Sequence, residues 1–218
     1  GEIMGHRVVL ETERLILRPL TLADAPAVFV WGGDPEVNRY MAYPLERSMA
    51  DAEAWLREVE RADGRNDLDF GFVRKEDGLL IGSGGVYRKK GTWWRRSWWT
   101  LGYNLRRDCW GRGYAAEAAR AMVDFAHRKR GARIFLADHA VDNPASGRVL
   151  EKCGLVFDHD GQYSKLDGSA TFPSKSYRLE LQPFAGVSLK ARAGAPPTGE
   201  THILKAERIW RYRHVFED

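Results

Sequence analysis

Ala115, Ala118, Ala119, Met122, Phe125 and Ala126 recur at helical spacing and predict one long helix that runs to Arg130, where Gly131 stops it. Upstream, residues 13–18, 68–74, 79–87 and 97–105 read as strands, and Lys75-Glu76-Asp77-Gly78 joins the second and third as a hairpin. Thr21-Leu22-Ala23-Asp24 and Ser48-Met49-Ala50-Asp51 carry the capping-box pattern and predict helices to about Trp31 and about Glu60. Downstream come a strand at 133–138, a helix at 144–152 and strands near 155–163 and 174–182. This order predicts an α+β domain. Its sheet is mixed and mostly antiparallel, with helices on both faces and one central β-α-β crossover. No internal repeat is present.

The pattern changes after Leu181. Ala193-Gly194-Ala195-Pro196-Pro197-Thr198-Gly199 reads as a linker, and residues 203–212 read as a short final helix or arm. A domain over 1–183 followed by a linker and arm or tail over 184–218 is therefore expected. Composition leaves two states of that tail open, an arm docked at a subunit interface of a homodimer and a disordered end.

Composition narrows the class without naming it. The 218 residues are 44% hydrophobic, enough for one sizeable core. A net charge of +4 suits an anionic ligand, but 34 basic residues against 30 acidic ones are too balanced to predict a nucleic-acid binder. Cys109 and Cys153 have no metal-ligand spacing and make no disulfide framework. No apolar run reaches membrane-spanning length and no secretory leader is visible, so a cytoplasmic enzyme with Met4 as a candidate start is the expectation.

The chemistry concentrates in Trp110-Gly111-Arg112-Gly113-Tyr114-Ala115-Ala116-Glu117, between a strand and the long helix. Glycines there let the backbone approach a ligand, and the free N–H groups and dipole of the helix favour phosphate oxygens. The plain alternative is an ordinary turn. A nucleoside-triphosphate loop would need Lys-Ser/Thr after the second glycine, where Tyr114-Ala115 stands. A dinucleotide fingerprint fits Gly111, Gly113 and Ala116, with Asp138 as its acid. That fingerprint belongs on the first strand of a strand–helix array, and here it lies mid-chain.

Trp110-Gly111-Arg112-Gly113-Tyr114-Ala115-x-Glu117-Ala118 resembles the acetyl-CoA loop of the GNAT acetyltransferases, in the RimJ/RimL-like branch that acetylates protein N-terminal amines. Asn143-Pro144-Ala145-Ser146-Gly147-Arg148-Val149-Leu150-Glu151-Lys152-Cys153-Gly154-Leu155-Val156-Phe157 resembles that branch's second motif, and Glu11-Thr12-Glu13-Arg14-Leu15-Ile16-Leu17-Arg18-Pro19-Leu20 its first strand. The resemblance spans about residues 11–182. It implies a GNAT fold, acetyl-CoA (coenzyme A) as cofactor and a primary amine as acceptor, attacked directly in a ternary complex. A non-catalytic acyl-CoA sensor and a dinucleotide-binding oxidoreductase are the competing classes. Cys109 as a covalent acyl carrier is the competing mechanism.

The resemblance also implies roles. Backbone N–H groups of Gly111, Arg112, Gly113, Tyr114 and Ala115 cradle pyrophosphate, with Arg112 adding charge at the rim and Trp110 packing beneath the loop. Tyr103-Asn104-Leu105 corresponds to a strand that splays open, pairs with the pantetheine arm and offers an oxyanion donor. The plain reading of Tyr103 is a buried ring whose hydroxyl finds a backbone partner. Asn143 before Pro144 reads from physics as a helix cap, with Ser146 in the first turn. The resemblance instead places Asn143 against pantetheine and substrate, and Ser146 beside the thiol, as hydrogen-bond donor or proton relay. Arg148 and Lys152 meet cofactor phosphates or simply face solvent. Leu150 stands where many relatives carry a catalytic tyrosine, so no tyrosine acid is evident. The general base stays open among Asp138, His139 and a water chain, with Glu36, Arg39 and Tyr40 shaping the acceptor pocket. The run Trp93-Trp94-Arg95-Arg96-Ser97-Trp98-Trp99 reads as a strand start with one face in the core and the other on a groove or interface.

Overall fold

The computed structural model describes residues 6–93, 96–184 and the backbone of 212–216. The chain opens with a short hairpin, β1 (Val9–Thr12) and β2 (Leu15–Arg18), where one strand over 13–18 was expected. The cause is Thr12, whose buried hydroxyl accepts the N–H of Leu15 at 3.0 Å and turns the chain at Glu13-Arg14. Leu22–Asp24 then form a single 3-10 turn before α1 (Ala25–Gly32). Asp24 closes the turn by accepting the Thr21 N–H at 2.8 Å and pairing with Arg18 at 2.9 Å. A four-residue helix that the sequence pattern did not predict, α2 (Pro35–Asn38), is capped by Asp34, which accepts the Glu36 N–H at 3.0 Å. Next comes α3 (Met49–Glu60).

The remaining elements follow the predicted order. They are β3 (Asp67–Arg74), β4 (Leu80–Lys89), β5 (Trp98–Leu105), α4 (Tyr114–Arg130), β6 (Ile134–Ala140), α5 (Pro144–Lys152), β7 (Val156–Ser164) and β8 (Thr171–Glu180). The tail contributes β9 (Tyr212–Phe216), antiparallel to β1. The linker and residues 203–211 lie outside the described residues. Spatial order in the sheet is β7-β8-β6-β5-β4-β3-β2-β1-β9. Every neighbouring pair is antiparallel except β5 and β6, which α4 connects.

Two cores flank the sheet. The larger packs α4 and α5 against it through Phe70, Phe72, Met122, Phe125, Phe135 and Leu150. Each such burial contributes about 1.5–3 kcal/mol. Ala118, Ala119 and Ala126 are fully buried, so the predicted small-residue stripe of α4 lies close on the sheet. The smaller core sets α1 and α3 on the opposite face through Val28, Trp31, Ala52 and Leu56. Between them β4 is buried from Leu80 to Val86. A Cβ at Gly82 or Gly84 would press on the carbonyl oxygens of Asn104 or Gly102 in β5, so β4 gives β5 a flat, unyielding backing.

Candidate active site

β5 and β6 share a single ladder pair, Trp99 with Phe135, and part beyond it. Thr100–Leu105 pair with β4 and Leu136–Ala140 with β8 on their outer edges, and across the gap between them the inward-pointing backbone groups have no ladder partner. Buried backbone groups require partners, so such a gap in mid-sheet is a receptor for an extended polar chain. The seam opens toward the glycine loop.

At the head of α4, Gly111 and Gly113 both adopt left-handed backbone, φ +76° and +81°. A Cβ built on Gly111 would meet nothing within 4 Å, and one on Gly113 would meet only an Arg14 nitrogen at 3.4 Å, so the space above the loop is open. Gly113 occupies the cap position without a side-chain cap, and the first intrahelical bond is Glu117 N–H to the Gly113 carbonyl at 3.1 Å. Among the described residues no acceptor takes the N–H groups of 111–116. Converging donors at a dipole's positive end fit a pyrophosphate.

The loop is braced from the β1–β2 turn, a contribution sequence reasoning missed. Arg14 donates from Nε to Glu117 at 2.7 Å and from a terminal nitrogen to the Arg112 carbonyl at 2.8 Å, and its guanidinium lies 4.2 Å from the centre of the Tyr114 ring. Glu117 also accepts the Arg14 N–H and the Thr12 hydroxyl. The acidic residue in the first helical turn was the available signal. Trp110 is half-exposed rather than packed beneath the loop, and its indole N–H ties the loop to β5 through the Leu105 carbonyl at 3.1 Å. The Arg112 side chain is exposed.

At the other wall of the gap, a tight turn feeds α5. The Ala140 carbonyl accepts from the Asn143 N–H at 2.9 Å and from His139 Nδ1 at 2.7 Å. Asn143 stands at the cap position, but its side chain makes no cap bond, contrary to the capping reading from physics alone. Gly147 lets α5 lie on β6, since a Cβ there would meet His139 Nε2 at 2.7 Å. Ser146 is thereby brought to Tyr103. The two hydroxyl oxygens are 2.8 Å apart, and the Tyr103 hydroxyl also reaches the Ser146 carbonyl at 3.1 Å. A tyrosine hydroxyl thus stands in the site, but β5 supplies it, not α5. Burial pushes its pKa well up, keeping it protonated.

The other predicted groups are distributed unevenly. His139 is buried, with Nδ1–H on a backbone carbonyl and Nε2 against Gly147, so its role is packing. Asp138 points to the opposite face of β6, exposed and accepting from the Ser176 hydroxyl. Tyr163 lies near it, its pKa raised by burial first and then by the Asp138 charge. Tyr163 donates to the Tyr40 carbonyl at 2.6 Å, and Lys165 donates to the Asn38 and Met41 carbonyls at 2.9 and 2.8 Å. The segment after α2 is clamped over the β7–β8 hairpin in this way, and Asp34 pairs with Arg107 at 3.0 Å beside the loop. Lys152 sits at the far end of α5, exposed, and makes no side-chain contact with the loop among the described residues. Cys109 is buried, its thiol raised by burial and then by Asp108, which disfavours an acyl-carrying thiolate. Trp94 and Arg95 lie outside the described residues. Trp99 is buried and Trp93 is exposed.

The Acetyltransferase (GNAT) domain model matches residues 14–156, more than half of the chain. The uncharacterized N-acetyltransferase YoaA of Bacillus subtilis strain 168 is 29% identical over 148 residues, covering 67% of this chain and 82% of YoaA. Among solved structures, the microcin C7 self-immunity acetyltransferase MccE, in complex with acetyl-CoA and AMP, superposes with a TM-score of 0.63 at 15% identity, covering 78% of this chain and 93% of its own. Spermidine N-acetyltransferase from Vibrio cholerae, in complex with CoA and spermine, gives 0.64 at 16% identity, covering 77% and 95%. Among the described residues no helix is long and apolar enough to cross a membrane.

Proposed function

The chain belongs to the GNAT acetyltransferase domain family, and we propose that it transfers acetyl from acetyl-CoA to the N-terminal α-amine of a protein, as the RimJ/RimL-like branch does, by direct attack in a ternary complex. The observation that carries this reading is the parted β5–β6 seam, with the open glycine cradle at its mouth and the Tyr103–Ser146 hydroxyl pair on its wall. Bound acetyl-CoA supplies the activated acetyl thioester. The backbone N–H groups of Gly111, Arg112, Gly113, Tyr114 and Ala115 hold its pyrophosphate, and Arg14 with Glu117 keeps those donors in place. The edge of β5 at Tyr103, Asn104 and Leu105 holds the pantetheine arm, and an N–H there faces the acetyl carbonyl oxygen as its developing charge requires. Asn143, free of a capping bond, positions pantetheine and substrate. Ser146 Oγ donates a hydrogen bond to the leaving sulfur, and the Tyr103 hydroxyl behind it, kept neutral by burial, orients Ser146 for that contact.

The amine approaches from the opposite face of the sheet, where Asp138 is exposed and the segment after α2 forms a wall. Asp138, directly or through water, is the group there suited to taking the ammonium proton. His139 is not, because both of its nitrogens are enclosed. The acyl-CoA sensor shares the cradle but requires no such approach.

The test is CoA-thiol release with acetyl-CoA against peptides of varied N-terminal residue, beside polyamines, amino acids and amine antibiotics. Release that depends on a free peptide α-amine is expected. Release only with small amines would replace the acceptor. Acetyl-CoA binding without release by any amine would favour the sensor, and nicotinamide-cofactor binding in preference to CoA would favour the oxidoreductase.

A further inference from the structure

A cavity of about 160 Å³ lies at the end of α4 remote from the glycine loop. α4 has 17 residues, so about 25 Å separates the two ends. Four arginines line the cavity from four separate segments: Arg88 near the end of β4, Arg96 just before β5, Arg130 at the last position of α4 and Arg133 just before β6. Ser97 and the buried Trp99 line it with them. The aromatic-basic run before β5 thus sends Trp99 into the core and turns Arg96 and Ser97 into this hollow.

The described lining contains no carboxylate. Arg133 Nε donates to the Leu181 carbonyl at 3.2 Å, and Arg130 reaches the Gly64 carbonyl from two nitrogens at 3.2 and 3.1 Å. Arg88 lies 3.4 Å from the Ser97 hydroxyl. These contacts orient the guanidinium groups, and those through carbonyl and hydroxyl oxygens do not neutralise them. Arg88, Arg96 and Arg133 form no ion pair among the described residues. A basic residue at the end of α4 is ordinary compensation for the helix dipole. That accounts for Arg130, and it leaves Arg88, Arg96 and Arg133 gathered in the same hollow. Like charges gathered in one hollow repel, and a bound anion relieves the repulsion.

The volume is well below the ~300–1,000 Å³ of sites for drug-sized ligands. It suits one small anionic group. Guanidinium forks match tetrahedral oxyanions with paired donors, and a hydroxyl adds a further donor.

We infer that this cavity binds a phosphate group, held by Arg88, Arg96, Arg130, Arg133 and the Ser97 hydroxyl, at a site separate from the transferase centre. The phosphate is either free, as phosphate or pyrophosphate, or the end of a nucleotide. The inference does not rest on the acetyl-transfer reading.

The full chain would be titrated with phosphate, pyrophosphate and AMP at constant ionic strength, following thermal midpoint and heat of binding, with sodium chloride as the matched control. The Arg88→Gln/Arg133→Gln double variant and the exposed-site variant Arg96→Gln would be compared with Gly113→Val, which damages the other anion cradle. Circular dichroism would check that each folds. Saturable stabilisation is expected that persists in Gly113→Val and weakens at least tenfold in the arginine variants. Tighter phosphate or pyrophosphate binding identifies a free anion, and tighter AMP binding a nucleotide. Stabilisation equal to that by chloride, unchanged in the arginine variants, or lost only in Gly113→Val would overturn the site. So would binding of a single-stranded oligonucleotide, weakened by the arginine variants, with no binding of the three small anions. Failure of CoA turnover leaves these readouts unaffected.

Discussion

Tyr103 and Ser146 come from different elements, 43 residues apart in sequence, and their hydroxyl oxygens meet at 2.8 Å on the wall of the seam. If Ser146 donates a hydrogen bond to the departing sulfur, Ser146→Ala lowers kcat on the order of 10²-fold with little change in acetyl-CoA affinity. Tyr103→Phe lowers kcat in the same sense, and the double variant falls by less than the product of the two. Steady-state kinetics on the three variants check this, and additive losses would show that the pair does not act as a unit.

Asn143 makes no side-chain cap bond, so its replacement should cost α5 little. Asn143→Ala is expected to keep its thermal midpoint, where a working cap would lose about 1 kcal/mol. Asn143→Asp, which lacks an amide donor, is expected to raise KM for acetyl-CoA or lower kcat at unchanged stability. Full activity in both variants would remove Asn143 from the site.

Gly113→Val is expected to abolish CoA binding, because a branched side chain would occupy the open space over the loop and resist φ +81°. Gly78, at φ +73° with nothing near its Cβ position, provides the control. Gly78→Val carries comparable backbone strain, about 1–2 kcal/mol, and should leave CoA affinity intact. Calorimetric CoA titration of the two variants separates strain from ligand contact, and equal affinities would refute the cradle.

Glu46 lies against Gly32, with Oε2 buried and without a hydrogen-bond partner among the described residues. Burial, assisted by the Asp51 charge, raises its pKa from 4.5 to about 7. Below pH 4.5 both folded and unfolded chains hold the proton. Between pH 4.5 and about 7 only the folded chain keeps it, so stability contributed by Glu46 falls through that window and is flat above it. Glu46→Gln should therefore gain thermal midpoint over wild type at pH 8 more than at pH 5. An equal difference at both pH values would mean an ordinary carboxylate. Asp69, raised to about 6 by burial, adds a fall that ends lower and is common to both proteins.

What the sequence made legible was local. Gly111 and Gly113 between strand and helix, the alanine stripe of α4 and the stop at Gly131, with φ +69°, are each written in a few consecutive residues. The Glu13-Arg14 break was hidden because Thr12 turns the chain through its side chain, inside a run that otherwise alternates like one strand. Arg14 with Glu117, and Tyr103 with Ser146, are meetings across the fold that no local spacing encodes. The arginine cavity was missed for the same reason. Its four cations are scattered over 46 positions (88 to 133), and only the convergence of β4, β5, α4 and β6 gathers them. His139, one of the groups among which the base stays open in the sequence, is enclosed at its strand end by Gly147 and the Ala140 carbonyl, a packing that its position in the sequence does not show.

The single rung between Trp99 and Phe135 makes the sheet a plate with a crack. Six strands, β5-β4-β3-β2-β1-β9, lie on one side of it and three, β6-β8-β7, on the other. Opening stress in a cracked plate gathers at the tip, and a densely packed interior transmits it there. The tip here is two aromatic rings, 3% and 0% exposed. Trimming either would therefore do more than hollow the core: the fissure would lengthen and its lips would drift apart. Trp99 and Phe135 thus close the slot at its inner end, on the same strand that carries Tyr103 to the Tyr103–Ser146 pair.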